Sequence, residues 1–375
     1  MSGERLAFHH PRVRPAWLAM LREEILDPAQ IIIDPHHHLW PARPDPYLLA
    51  DLLQDTRGGH DIRATVFIQC GSAYRRDGPE AMRPIGETEF VAAIVAEGVA
   101  EGVAEGVAEG VAEGAAEGAA EGAAEGSASG FAAAAGIVGF ADCLLGDAIE
   151  PVLRAHETAG MIGGVGHFKG IRHSATYDPG IAPTAPPGAP PGLFLDPMFR
   201  RGVARTGQLG FTFEAWCYHP QLPELADLLR ACPDQKIVLN HLGGPLGVGP
   251  YESRRDEVFA QWAGSMRELA AFPNLSVKLG GLAMHVNGFG FHHQALPPGS
   301  GEMASAWRPY METAIEAFGA ARCMFESNFP VDKGMCAYSV LWNAFKRIAQ
   351  GCTAAEKADL FHRTAARFYA LAEPA

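Results

Sequence analysis

The chain has 375 residues, 48% hydrophobic and 19% charged, a composition ordinary for a soluble globular protein with a large core. Its formal net charge is −13, but eight of its Glu stand in one repeat, and the remaining 35 acids face 30 Lys and Arg, a balance of −5. That mild excess leaves no basic stripe for nucleic acid, and no uninterrupted apolar run approaches membrane-spanning length, which argues against both kinds of partner.

Residues 1 to 28 are polar and Arg-rich and lack the apolar block of a signal peptide. Seven Cys are scattered singly with no C-x-x-C, the pattern of reduced thiols in the cytoplasm. The first apolar run, Ile31–Asp34, leads straight into Pro35-His36-His37-His38-Leu39-Trp40. Side chains alternate along a strand, so His36 and His38 share a face and His37 takes the other. Two imidazoles at the carboxyl end of a buried strand can share one target, a metal ion or an activated water.

Further strands are predicted at Ala64–Gln69, Gly136–Ala141, His167–Arg172, Phe211–Trp216, Lys236–Asn240, Leu275–Leu279 and Cys323–Ser327. Helical stretches follow them at Pro46–Asp55, Gly86 onward, Asp147–Thr158, Pro197–Arg205, Pro223–Ala231, Asp256–Ala271, Ser305–Phe318 and Ser339–Gln350. A last amphipathic segment, Ala354–Tyr369, is expected to pack on the outside. Parallel strands need crossover helices, so eight βα units in series predict an α/β fold, a single (β/α)8 TIM barrel. One domain over residues 1–375 is expected, its core from about 31 to 369. An open doubly wound sheet is disfavoured because no Gly-rich nucleotide loop follows strand one.

Between strands two and three, Val95 to Gly126 reads VAEG five times and AAEG three times. A period of four on a 3.6-residue helix gives no fixed apolar face, and each Gly costs about 0.8–1 kcal/mol relative to Ala. The insertion is expected to fray or be flexible. A Pro-rich loop, Ile181–Gly192, follows strand four at the barrel mouth and is either a lid edge or a simple excursion.

A barrel collects its chemistry at the carboxyl ends of its strands. Here those ends carry His36 and His38, Gln69, Arg172 and His173, Glu214 with Trp216 and Tyr218, His241, Lys278, and Glu326 with Asn328. Arg172 and Lys278, basic groups in a barrel interior, together with Lys169 and Lys333 suggest an acidic substrate, with pairing to Glu214 or Glu326 as the plain alternative. Gln69, His173, Trp216 and Tyr218 are expected to line the pocket, and Phe289–Phe291 with His292 and His293 to cap the substrate.

Taken in order, His36-x-His38, Asn240-His241-Leu242-Gly243-Gly244-Pro245 and Phe325-Glu326-Ser327-Asn328-Phe329-Pro330-Val331-Asp332 resemble the motifs of the amidohydrolase-related branch of the amidohydrolase superfamily. The resemblance runs from about Ile31 to Tyr369. It implies a TIM-barrel hydrolase of a small lactone, or a related ester or amide, with decarboxylases as relatives on the same scaffold. It implies also that His36, His38 and His241 surround the reactive water, with a divalent metal such as Zn or Mn in many members and none in some lactonases. The family's Asp at the end of strand eight is Asn328 here, which cannot act as a base. Two residues earlier, on the same face, Glu326 stands where Gly is usual. Glu326 is expected to supply the missing carboxylate as ligand or base; the alternatives are a salt bridge with a mouth Lys or Arg, or a barrel that only binds its ligand. Neither an oligomer nor a monomer is favoured by the sequence. Deleting Val99–Gly126 is expected to leave the thermal midpoint and turnover intact; a collapse of either would show that the repeat is structural.

Overall fold

The computed structural model describes residues 10–112, 131–182 and 188–372. Strands and helices alternate as β1 (Ile31–His37), α1 (Leu49–Thr56), β2 (Asp61–Ile68), α2 (Ile85–Ala112), β3 (Ala132–Gly139), α3 (Glu150–Ala159), β4 (Phe168–Arg172) and α4 (Pro197–Gln208). They continue as β5 (Thr212–Ala215), α5 (Leu222–Ala231), β6 (Ile237–Leu239), α6 (Arg255–Leu269), β7 (Leu275–Leu279), α7 (Ser300–Phe318), β8 (Cys323–Phe325) and α8 (Tyr338–Ile348). The strands form one parallel sheet in chain order from β1 to β8, the predicted (β/α)8 barrel. Among the described residues no helix is long and apolar enough to cross a membrane.

Local chemistry explains several boundaries. Asp196 caps α4, its Oδ1 accepting from Met198 N at 2.7 Å and Phe199 N at 3.1 Å, with Pro197 in the first turn. The helix α7 begins five residues before its predicted start and runs through Pro309, because Met303, Ala304 and Trp307 bury its early turns against the core. Burial there outweighs the hydrogen bond that Pro removes. A short hairpin pairs Met161–Ile162 with Val165–Gly166 through Gly163 and Gly164, both at positive φ. Its Gly-Gly turn is a legible hairpin signal, absent from the predicted strands. The helix α2 takes in the repeat as far as Ala112. The expectation that the insertion frays falls, from residue 113 to 126, outside the described residues; so does the middle of the Pro-rich loop, residues 183–187.

The ring closes between β8 and β1 by a different device from the ladders elsewhere. One bridge joins His37 and Phe329; His38 N donates to Phe329 O at 2.8 Å, and Asn328 N to His36 O at 2.9 Å. Below them the Asp34 carboxylate replaces a main-chain acceptor. Its Oδ1 accepts from Ser327 N at 3.0 Å and His36 N at 3.3 Å, and its Oδ2 from the Tyr338 hydroxyl at 2.9 Å. Burial pushes the Asp34 carboxyl up to about 6, against those bonds.

The closing segment corrects one expectation. It runs as Ala354–Ala358, a π-turn over Asp359–Arg363, and Thr364–Tyr369. Instead of lying outside, its end plugs the amino-terminal mouth of the barrel: Ala365, Ala366, Phe368 and Tyr369 pack with the inward-facing Ile33, Ala64, Val66, Val138, Val238 and Met324. Thr364 Oγ1 donates to Ala320 O at 3.2 Å and Arg367 to Ala321 O at 3.2 Å, pinning the segment to the start of β8. An inward stripe with no neighbour to cover it needs such a plug.

Because Asp34 holds two otherwise orphaned buried N–H groups, Asp34→Ala is expected to cost about 2–4 kcal/mol in urea unfolding. A loss under about 1 kcal/mol would show that the seam closes without it.

Candidate active site

The ends of β1, β6 and β8 bring three groups onto one point inside the barrel. On β1, His36 and His38 face in, with ring centroids 4.9 Å apart, while His37 faces out and meets Thr65 Oγ1 at 3.0 Å. β6 stops at Leu239, and His241 follows two residues later in left-handed backbone with Leu242, at φ 52° and 56°. That turn, unusual for residues with a Cβ, sets the His241 ring 4.5 Å from that of His36. β8 likewise ends early, since Ser327 N bonds to Asp34 rather than continuing the ladder, and Glu326 is left pointing inward.

Glu326 joins the two rings. Its Oε1 lies 2.7 Å from His241 Nδ1 and accepts from His241 N at 3.2 Å, and its Oε2 lies 2.6 Å from His36 Nδ1. Two glycines make the room: a Cβ on Gly280 would stand 2.4 Å from Glu326 Cγ, and one on Gly281 2.4 Å from His241 Nδ1. The carboxyl is fully buried, and burial pushes it up to about 8, with the Lys278 charge opposing. All three inward imidazoles are held well below the ordinary range, first by burial and then by nearby cations. His38 Nδ1 lies 2.7 Å from Ile68 O. A carbonyl only accepts, so Nδ1 carries the proton and Nε2 keeps its lone pair.

Below this cluster lies a buried ion network. Lys278 Nζ donates to Glu214 at 3.0 and 2.8 Å and to Pro35 O at 2.9 Å, and stands 3.3 Å from His36 Nδ1. Glu214 also accepts from Asn240 Nδ2 at 2.8 Å and from the Tyr369 hydroxyl. Arg172 Nη1 stands 3.3 Å from His36 Nε2, so each nitrogen of that ring faces a cation. The guanidinium bonds to the Gln69 carbonyl, and its Nε reaches Gln69 Oε1 at 3.4 Å; it makes no ion pair among the described residues. Of the two expected cations, Lys278 is therefore paired with a carboxylate and Arg172 is not.

His36, His241 and Glu326 offer donor atoms within 4.8 Å of one another, all buried. Glu326 Oε2 has no aligned hydrogen-bond donor despite its short approach to His36. Two imidazoles and a carboxylate with an unmatched lone pair fit a divalent cation such as Zn2+. His38, expected among the ligands, lies beside this set and not in it.

Other expected residues sort by the face they take. Trp216 sets its ring edge-on to His241 at 4.7 Å and meets Tyr218 at 5.7 Å, both at the mouth. Gln69 reaches Tyr74 Oη as well as Arg172. His173, by contrast, faces outward: its ring packs on Phe140 and Phe199, and its Nδ1 accepts from Cys143 N at 3.2 Å. It is one residue past Arg172, and strand alternation sends it away from the site. Asn328 turns its amide to Asp332 Oδ1 at 2.8 Å. Phe289 and Phe291 pack on Trp307, and Phe289 also on Tyr310, so these two rings of the loop after β7 lie against helix α7. Lys333 is held by Asp55 at 2.7 Å and Lys169 reaches Ala370 O. A cavity of about 960 Å3 beside the mouth, lined by Arg12, Trp40, Arg43, Asp51 and Lys333, meets the site at Trp40, which stacks on His38. Sequence reasoning missed Tyr369, because nothing in a helical period tells which aromatic residue enters a barrel.

Comparison with known proteins bears on the family and the fold. A family model described as Amidohydrolase matches residues 33–371. An uncharacterised protein of Sinorhizobium fredii is 35% identical over 234 residues, 62% of this chain and 69% of that one. An L-fucono-1,5-lactonase of Burkholderia multivorans is 32% identical over 184 residues, 48% of this chain and 58% of the lactonase. The crystal structure of an amidohydrolase from Burkholderia multivorans with bound Zn superposes with a TM-score of 0.64 at 22% identity, covering 91% of this chain and all of the other, a likeness that shows the fold. With the family model spanning nearly the whole barrel, this chain belongs to the amidohydrolase family and is an enzyme of hydrolase type.

Proposed function

We propose that this enzyme hydrolyses a small, carboxylated lactone, or a related ester, at the His36–His241–Glu326 cluster. The observation that carries the reading is Glu326 held between two neutral imidazoles, with the unpaired guanidinium of Arg172 beside them. The partial similarity to a lactonase supports the reaction class.

In this reading Arg172 binds the substrate carboxylate as a planar fork, and Gln69, Trp216 and Tyr218 line the pocket. Water is held against Glu326 and His241. As its oxygen attacks the lactone carbonyl carbon, Glu326 accepts its proton, in the ionised form whose share grows as pH rises toward 8. The positive field of Arg172 and Lys278 on either side of His36 stabilises the oxyanion. The ring C–O bond then breaks, the proton passes to the departing alkoxide, and the product is an open hydroxy acid. A divalent metal, Zn or Mn, held by His36, His241 and Glu326 would polarise the carbonyl and acidify the water. The bound Zn of the amidohydrolase from Burkholderia multivorans supports that version. His38, through the lone pair on its Nε2, accepts a hydrogen bond from the water. Asn328, bonded to Asp332, orients the strand end and takes no proton.

Tests of the reading start with protein purified without chelators. It should be analysed for metal, then offered a panel of neutral and acidic lactones, with CO2 release measured alongside. Ring opening of acidic lactones is expected, and Glu326→Gln should reduce it at least about a thousandfold while the protein stays folded. Near-normal turnover in that variant would remove the base, and CO2 release without ring opening would replace the reaction.

A second outcome concerns the proton itself. The Glu326 carboxyl titrates at about 8 when folded against an ordinary 4.5, so between these values the folded state holds the extra proton. The stability of its neutral form is complete below about pH 4.5 and is lost as pH rises toward 8. In chelator, Glu326→Gln should flatten the fall of the urea midpoint across that window; an unchanged slope would mean that Glu326 is ionised throughout.

A further inference from the structure

A continuous polar column rises through the barrel from its floor to the cluster of imidazoles. At the floor the Tyr369 hydroxyl, from the plugging segment, bonds Glu214 Oε1 on β5. The same carboxylate accepts from Asn240 at the end of β6 and from Lys278 on β7. Lys278 in turn donates to Pro35 O and faces His36 Nδ1 on β1, and His36 meets Glu326 on β8. Tyr369, Glu214, Lys278 and His36 are each at most 1% exposed, so bulk water does not reach them to replace a missing partner.

We propose that Tyr369 is a positioning residue for the active site, orienting Glu214 so that the Lys278 ammonium is held against Pro35 and the His36 ring. The argument is one of directions. A carboxylate with two oxygens gripped by one ammonium can still pivot about its Cγ–Cδ bond. Asn240 fixes one oxygen from the side of β6. The Tyr369 hydroxyl fixes the other from below, where among the described residues no main-chain donor is bonded to it. A charge-assisted bond of this kind is stronger and more directional than a neutral one. Removing it leaves the charge balance of Lys278 and Glu214 intact and loosens only their geometry. The Tyr369 ring also lies 5.5 Å from Lys278 Nζ, so the ammonium rests on the same side chain that orients its partner. The terminal helix thereby has a share in the chemistry at the opposite end of the barrel, although it contributes nothing that touches substrate. This inference rests on the hydrolytic reading for its effect on turnover, and on geometry alone for its effect on His36.

The experiment compares Tyr369→Phe, which keeps the ring and its packing, with Thr364→Val, which removes the Thr364–Ala320 bond that pins the same segment and touches no member of the column. The readouts are the ring 15N signals of His36 in histidine-labelled protein, assigned by their loss in His36→Gln, and the kinetics on any lactone found to react. Tyr369→Phe is expected to shift the His36 signals and to lower kcat by about ten- to a hundredfold with KM nearly unchanged. Thr364→Val is expected to lower the thermal midpoint and leave both readouts in place. Unmoved His36 signals in folded Tyr369→Phe would overturn the proposal, as would equal shifts in both variants. If the wild-type enzyme opens no lactone, the hydrolytic reading fails and the His36 signals still decide the role of Tyr369.

Discussion

The architecture of the site follows from one demand: Lys278 and Glu214, buried without exposure in the middle of a barrel, must satisfy each other fully. Taking two charges out of water costs several kcal/mol per ion, and the cost is met only where every remaining donor and acceptor finds a partner. That explains why polar groups from β1, β6 and the terminal helix converge on this pair. It also explains why the imidazoles above it stay neutral, since protonating any of them would place a further cation against Lys278 and Arg172. Neutral rings are the form that can bind a metal or take part in proton transfer.

The barrel and the identity of the inward histidines were legible because they rest on short-range rules. All eight strands were found at their predicted places, and alternation correctly set His36 and His38 against His37. Glu326 could be singled out because the resembled family's strand-eight motif has Gly at that place, and an acid there stands out. What could not be read depended on geometry that no period encodes. Whether Arg172 or His173 faces inward turns on the strand's register, which carries an irregularity between β3 and β4. The plug formed by the terminal segment depends on an uncovered floor, and the same amphipathic pattern would serve equally well on an outer wall.

Backbone strain gathers at the same place. His241, Leu242 and Asn328 all take left-handed conformations, and each lies where a strand stops and a functional side chain begins. Ordinary strand endings would carry these side chains along the wall of the barrel. The sharp turns aim His241 across it and free the Asn328 amide for Asp332. Such conformations cost about 1–3 kcal/mol each and survive where the surroundings over-determine them. Gly280 and Gly281 are part of those surroundings, since a Cβ on either would take the space that the Glu326 and His241 side chains fill.

The seam between β8 and β1 has an architectural meaning of its own. Along a regular ladder, each main-chain bond dictates the next, so a residue cannot be repositioned without disturbing the row. Here a carboxylate on a short tether shares the joining with two main-chain bonds, and a tether follows small displacements of the strand it holds more readily than a ladder does. The wall that carries both His36 and Glu326 thus has an expansion joint running through it. A bulky acid can take the place of a small residue on one side while the other junctions of the cylinder stay as they are.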